Sequence, residues 1–112
     1  MTNVDVVRAI FAGYQTQDRA AAERLIADDF SFTSPQDDHI DRASYFERCF
    51  PTTDRLRWQK ILEVTPTADD GVFALYEYEL KTGEVYRNAE FLTVRDGRIT
   101  EVQVFFGGRY DS

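Results

Sequence analysis

The 112-residue chain has one cysteine, Cys49, and one histidine, His39. A single thiol excludes an intramolecular disulfide and suits a reducing compartment, so the expected location is the cytoplasm. A lone histidine beside Asp37 and Asp38, with no HxxxH spacing, is a thin ligand set, and no metal is expected. Basic residues are scarce: 13 Lys and Arg against 20 Asp and Glu give a net charge of −7 and a pI near 4.6. A nucleic-acid partner needs a basic surface to neutralise phosphates, and anionic membrane also attracts basic segments, so neither is expected. No apolar run approaches the roughly 18 residues of a spanning helix. The opening MTNVDVVRAIF carries Asp5 and Arg8 inside its apolar run, which is not the pattern of a signal peptide. Also missing are a Ser-His-Asp order, a phosphate-cradling loop and a dinucleotide fingerprint; Gly107-Gly108 at a strand end is none of these, and no cofactor is expected. No linker, repeat or low-complexity stretch interrupts the chain, so residues 1–112 read as one domain.

What the chain does have is a meander between Gly71 and Gly108. VFALYEYEL, EVYRNAEFLTV and ITEVQVFF alternate apolar and other residues, and the breaks fall at Thr82-Gly83 and Asp96-Gly97. An antiparallel sheet with an apolar face needs a cover. Upstream, Thr2 and Asp5 make a capping-box start to a helix with Val4, Val7, Ile10, Phe11 and Tyr14 on one stripe. Asp18 caps a second helix, RAAAERLIA, followed by the short strand Phe30–Ser34, which Pro35 stops. Gln36 to His39 read as a polar loop. Asp41 then caps a third helix, RASYFERCF, which Pro51 ends. Leu56 to Thr65 reads as a strand with Leu56, Trp58 and Lys60 on one side and Arg57, Gln59 and Ile61 on the other. The order α-α-β-α-β-β-β-β predicts an α+β fold with helices on one face of a curved sheet.

Three passages carry a resemblance: IADDFSFTSP, DDHIDRASYFERCFP and RNAEFLTVRDGRITEVQVFFG. Together they span nearly the whole chain and resemble the SnoaL-like branch of the nuclear transport factor 2-like superfamily, relatives of ketosteroid isomerases and polyketide cyclases. The resemblance implies a cystatin-like cone, three N-terminal helices packed on a curved mixed or antiparallel sheet around a conical pocket. It does not imply one reaction, since the superfamily hosts isomerases, dehydratases, cyclases, epoxide hydrolases and non-catalytic binders. The isomerase general base before the proline is Ser34 here, and a serine hydroxyl is no base without an activating group. The isomerase's helix-one tyrosine falls near Ile10, not Tyr14. By the same resemblance, Glu90 stands where the oxyanion-binding acid does.

Which side chains enter the pocket depends on register. A two-residue Asp96-Gly97 loop pairs Ala89 and Phe91 with Val104 and Val102. A three-residue loop with a left-handed Gly97 puts Asn88 and Glu90 opposite Val104 and Val102 instead. Apolar matching favours the first and the family hairpin the second, and the second is adopted. It places Glu90 and Asn88 on an apolar wall with Val102, Val104 and Phe106, where desolvation would raise the acid's pKa. The alternative is a Glu90 paired with an arginine or facing outward. Asp38 and His39, on the loop that the resemblance sets at the pocket mouth, are candidate proton acceptors; otherwise they form a solvated turn before the Asp41 cap. Phe11, Tyr14, Phe32, Ser34, Tyr45 and Trp58 complete the expected walls. Cys49 reads as a packed thiol. The resulting expectation is an apolar, oxygenated small molecule handled by general acid–base chemistry, by a lyase, isomerase or cyclase. The alternative is a non-catalytic ligand-binding or dimerisation module, with Phe91 and Phe105 on an outer sheet face that forms a homodimer.

Overall fold

A computed structural model describes residues 1–110. Helices α1 (Asn3–Thr16), α2 (Arg19–Leu25) and α3 (Arg42–Arg48), with a 3-10 turn over Phe50–Arg55, pack on a sheet of six strands. The strands are β1 (Ile26–Ser34), β2 (Asp37–Asp41), β3 (Leu56–Pro66), β4 (Gly71–Leu80), β5 (Val85–Arg95) and β6 (Arg98–Arg109). Their spatial order is β2-β1-β6-β5-β4-β3. All neighbours are antiparallel except β1 and β6, so the sheet is mixed. This is the expected α+β cone. Among the described residues no helix is long and apolar enough to cross a membrane.

Local chemistry sets the helix ends. Thr2 Oγ1 accepts from the Asp5 backbone N–H at 3.1 Å, while Asp5 accepts from the Thr2 N–H at 3.0 Å, a reciprocal cap that satisfies two orphan donors. Asp18 and Asp41 accept from the N–H groups of Ala21 and Ser44 at 3.1 and 2.9 Å. Two sequence expectations need correction. The second helix stops at Leu25, and Ile26, 1% exposed, starts a strand that runs through Asp28 and Asp29. The expected polar loop is strand β2, which pairs Ile40 with Phe32.

The closing hairpin combines parts of both register readings. Asp96 and Gly97 both have positive φ, 53° and 75°, and Arg95 pairs with Arg98, so the loop has two residues rather than the adopted three. The register then shifts: Val94 pairs with Ile99 but Thr93 with Glu101, leaving Thr100 as a bulge. That extra residue exchanges the faces. Glu90 consequently pairs with Val104, and Asn88 with Phe106, two positions from the expected partners yet on the expected wall. Below this wall the core is apolar, with Val6, Val7, Val72, Leu92, Val94 and Ile99 all at most 1% exposed.

One side chain leaves the face assigned to it. A bulge between Leu56 and Trp58 sends Trp58 outward, 37% exposed, while Leu56 and Gln59 turn inward. Glu77 lies opposite Arg87 and pairs with it at 2.7 Å on the outer face.

Candidate active site

Between the helices and the concave face of the sheet lies a cavity of about 660 Å³, within the range that holds small organic ligands. Of the expected lining, Phe11, Tyr14, Phe32, Ser34, Tyr45, Val102, Val104 and Phe106 are there, together with Asn88 and Glu90. Trp58 is not: it stands on the opposite face, in a shallow groove with Glu77, Arg87 and Tyr110. Asp38 and His39, expected as proton acceptors at the mouth, do not line the cavity either. The register shift in β1 and the left-handed backbone of His39 (φ 50°) leave their side chains 92% and 66% exposed, bonded to each other at 2.6 Å. Their neighbour Asp37 does reach the mouth, where Arg48 pairs with it at 2.8 Å and Ser34 donates to it at 3.3 Å. Ser34 therefore has a carboxylate neighbour that is itself held by an arginine.

Glu90 sits on the apolar wall formed by strand alternation in β5 and β6. Burial pushes its carboxyl up to about 7, and the hydrogen bond from Tyr76 draws it partly back. Tyr76 Oη donates to Glu90 Oε1 at 2.8 Å. Asn88, 6% exposed, donates from Nδ2 to Tyr76 Oη at 3.4 Å and approaches Tyr78 Oη at 3.5 Å, both long contacts. Its Oδ1 accepts from the Gly107 N–H at 3.4 Å, which fixes which way the amide faces. The run of donors from Gly107 through Asn88 and Tyr76 ends on Glu90. With Oε1 accepting from Tyr76, the acid's own hydrogen falls to Oε2, which has no partner among the described residues. A neutral Glu90 is thus a proton donor into the cavity, and an ionised one is a base held by Tyr76.

The surrounding phenols stay neutral. Burial first, then the charge of Glu90, raises Tyr76 and Tyr45 well above the ordinary tyrosine range. Burial, reinforced by Asp37, pushes the Cys49 thiol up to about 11, so it is not a thiolate near neutrality. Among the described residues no group of three or more His, Cys, Asp or Glu could hold a metal ion.

Tyr76 and Gly107 are the site residues that sequence reasoning underrated. Tyr76 carried a signal, since it shares the inner parity of Val72 and Ala74 and pairs directly with Asn88. Gly107 lies in a bulge where Tyr86 pairs with Arg109 and Asn88 with Phe106; a Cβ there would collide with the Arg87 carbonyl. Only glycine lets the strands close enough for its N–H to reach Asn88. Gly107→Ala is expected to destabilise the fold by roughly 1–3 kcal/mol, through a strand shift rather than lost burial. Urea denaturation measures this; a change within error would mean the bulge opens freely.

Compared by sequence with curated proteins, the chain finds no match. Among solved structures, a protein from Kribbella flavida superposes with a TM-score of 0.81 at 27% identity, over 92% of this chain and 84% of that one. A protein with a cystatin-like fold from Xanthomonas campestris gives 0.81 at 18% identity, over 97% and 93%. Another Kribbella flavida protein, described as a candidate ketosteroid isomerase, gives 0.77 at 18%, over 98% and 81%. The last two likenesses carry the fold alone. The sequence profile of the SnoaL-like domain matches residues 7–102, from the first helix to the inner wall of the last strand. The chain belongs to the SnoaL-like domain family.

Proposed function

We propose that this protein binds an apolar, oxygenated small molecule and acts on it by general acid–base chemistry, without a cofactor, as a lyase, isomerase or cyclase. One observation carries the reading: a single carboxyl on an apolar wall, with a donor on one oxygen and, among the described residues, none on the other. A group titrating near the working pH is both a competent acid and a competent base. As the carboxylate, Glu90 Oε2 would take a proton from the carbon next to a carbonyl, leaving an enolate. As the acid, it would return that proton to another carbon, or give it to a departing hydroxyl. Tyr76 touches Glu90 and steadies the ionised form; Asn88 and Gly107 act through Tyr76 as positioning residues.

Following the Glu90 carboxyl carbon by NMR across pH tests this directly. A midpoint near 7 is expected. A midpoint near the ordinary 4.3 would remove the acid role. Mass spectrometry of molecules that co-purify with the protein would identify the ligand class.

A second property rests on a separate observation. On the outer sheet face the Phe73 and Phe91 rings pack at a tilt with centroids 4.7 Å apart, and Phe73, Leu75 and Phe105 are 49%, 39% and 54% exposed. An apolar patch of this kind fits a homodimer, each copy covering the other's sheet. Phe105→Glu is expected to yield monomers in sedimentation velocity, and a wild type already monomeric at high concentration would sink the idea. Dimerisation and catalysis are compatible, since the cavity opens on the other face.

A further inference from the structure

The cavity contains a second polar post, and its hydrogen bonds have a fixed direction. Thr52 Oγ1 lies 2.7 Å from the Cys49 carbonyl oxygen and 2.8 Å from Tyr14 Oη. A hydroxyl carries one hydrogen and a carbonyl can only accept, so the Thr52 hydrogen goes to Cys49. The Tyr14–Thr52 bond then has one assignment, with Tyr14 donating. Tyr14 has the hydrogen to give, because burial lifts its phenol above the ordinary range, against the pull of Thr52 and with the charge of Glu90 adding to it. The pair is also held in place: Gln17 Nε2 donates to the Tyr14 and Phe50 carbonyls at 2.8 and 2.9 Å, tying the end of α1 to the 3-10 turn that carries Thr52. What Tyr14 Oη has left for the cavity is lone pairs.

We infer that Tyr14 determines specificity by accepting, not donating, a hydrogen bond from the ligand, so that the ligand is a hydroxy-carbonyl compound with its carbonyl toward Glu90 and its hydroxyl toward Tyr14. The carbonyl half of this rests on the proposed role of Glu90; the hydroxyl half rests on Thr52 and Cys49 alone. An ether or second carbonyl at that end would set lone pair against lone pair, or force Tyr14 to abandon Thr52. Tyr45, which lines the same cavity with no partner for its hydroxyl among the described residues, can donate or accept and so does not discriminate.

Calorimetric binding of 1-tetralone, 6-hydroxy-1-tetralone and 6-methoxy-1-tetralone separates the two halves. At about pH 6, where the phenolic probe is neutral, the wild type is expected to favour the hydroxy over the methoxy compound by roughly three- to tenfold, the worth of one net hydrogen bond. Thr52→Val frees the Tyr14 hydrogen, and the preference should shrink or reverse. Tyr14→Phe should erase it. Equal wild-type affinities, a preference undiminished in Thr52→Val, or one that persists in Tyr14→Phe would overturn the inference; if Thr52→Val does not fold, Tyr14→Phe decides by itself. The Glu90 reading has its own arm: 1-tetralone should bind more weakly as pH rises through about 7 in the wild type but not in Glu90→Gln, whose amide still donates. pH-independent binding with an intact hydroxyl preference would remove the Glu90 role only. pH-dependent binding without that preference would remove the Tyr14 role only, and failure of all three probes to bind would remove both.

Discussion

Glu90→Gln is expected to make the protein more stable at about pH 8 while removing its proton chemistry. The folded-state pKa of Glu90 is raised from 4.5 to about 7, chiefly by burial. The folded state therefore holds this proton more tightly than the unfolded chain does. Stability from this group is fully present below about 4.5, falls as pH rises, and is lost above about 7. The cost of ionising a carboxyl in this wall is at most on the order of 3 kcal/mol, and less because water enters the cavity. Glutamine keeps the acceptor for Tyr76 and carries no charge, so it escapes that cost. Urea denaturation of both proteins at about pH 5 and pH 8 gives the difference, which isolates Glu90 from every other titrating group. The gap should widen in favour of the variant as pH rises. Parallel pH profiles would mean that Glu90 is an ordinary solvated carboxylate, and the case for acid–base chemistry would go with it. A native acid that lowers stability at working pH is what a functional site looks like.

The sequence carried most of the architecture because every element but β2, which reads as a polar loop, signals itself locally. Thr2, Asp18 and Asp41 cap where they stand, and Asp96-Gly97 makes a two-residue turn. The face of Glu90 was harder. The turn dipeptide alone points Glu90 outward, and the wall that holds it exists because Thr100 bulges one residue beyond the turn. Nothing about Thr100 itself announces a bulge. The same difficulty hides Trp58: strict alternation sets it beside Leu56, and one irregularity at Arg57 sends it to the other side. Period-two patterns are reliable within a strand and fail across an inserted residue.

The candidate site was legible to the same degree. Glu90 and Asn88 were set on the inner wall by the family resemblance and its hairpin, whereas apolar matching alone would have turned them outward. Asp38 and His39 were singled out for their chemistry, but chemistry does not set backbone direction, and a left-handed residue beside a register shift keeps them in water. Tyr14 and Thr52, 38 positions apart, become a pair only when the end of α1 meets the 3-10 turn. No spacing rule links them. Their meaning lies in which atom holds which hydrogen, and that needs the third partner, the carbonyl of Cys49.

Phe46→Ala is the substitution with the largest expected cost to the fold. Phe46 is 2% exposed on α3, with Tyr45 edge-on at 5.5 Å and Phe50 at 5.4 Å. Tyr45 in turn meets Phe30 and Phe32 at 5.1 and 5.3 Å, so Phe46 backs the aromatic wall of the cavity. Removing a buried phenyl ring costs about 3–5 kcal/mol in lost burial and residual void. Arg19 and Arg42 also lie over its ring, 4.8 and 5.2 Å from the centroid, and each would lose roughly 0.5–1 kcal/mol of attraction. Set against a total stability of roughly 5–15 kcal/mol, the variant is expected to be marginal, with a much lower urea midpoint and an unchanged slope. Phe46→Leu separates the contributions. It refills most of the volume but offers no ring face, so Arg42→Gln should cost less in the Phe46→Leu background than in the wild type. Arg42 donates to the Glu23 and Ile26 carbonyls as well, at 2.9 and 3.4 Å, so the double-mutant cycle, not the single change, isolates the ring. A Phe46→Ala loss below about 1 kcal/mol would mean that α3 does not close the cavity, leaving Tyr45 without its support.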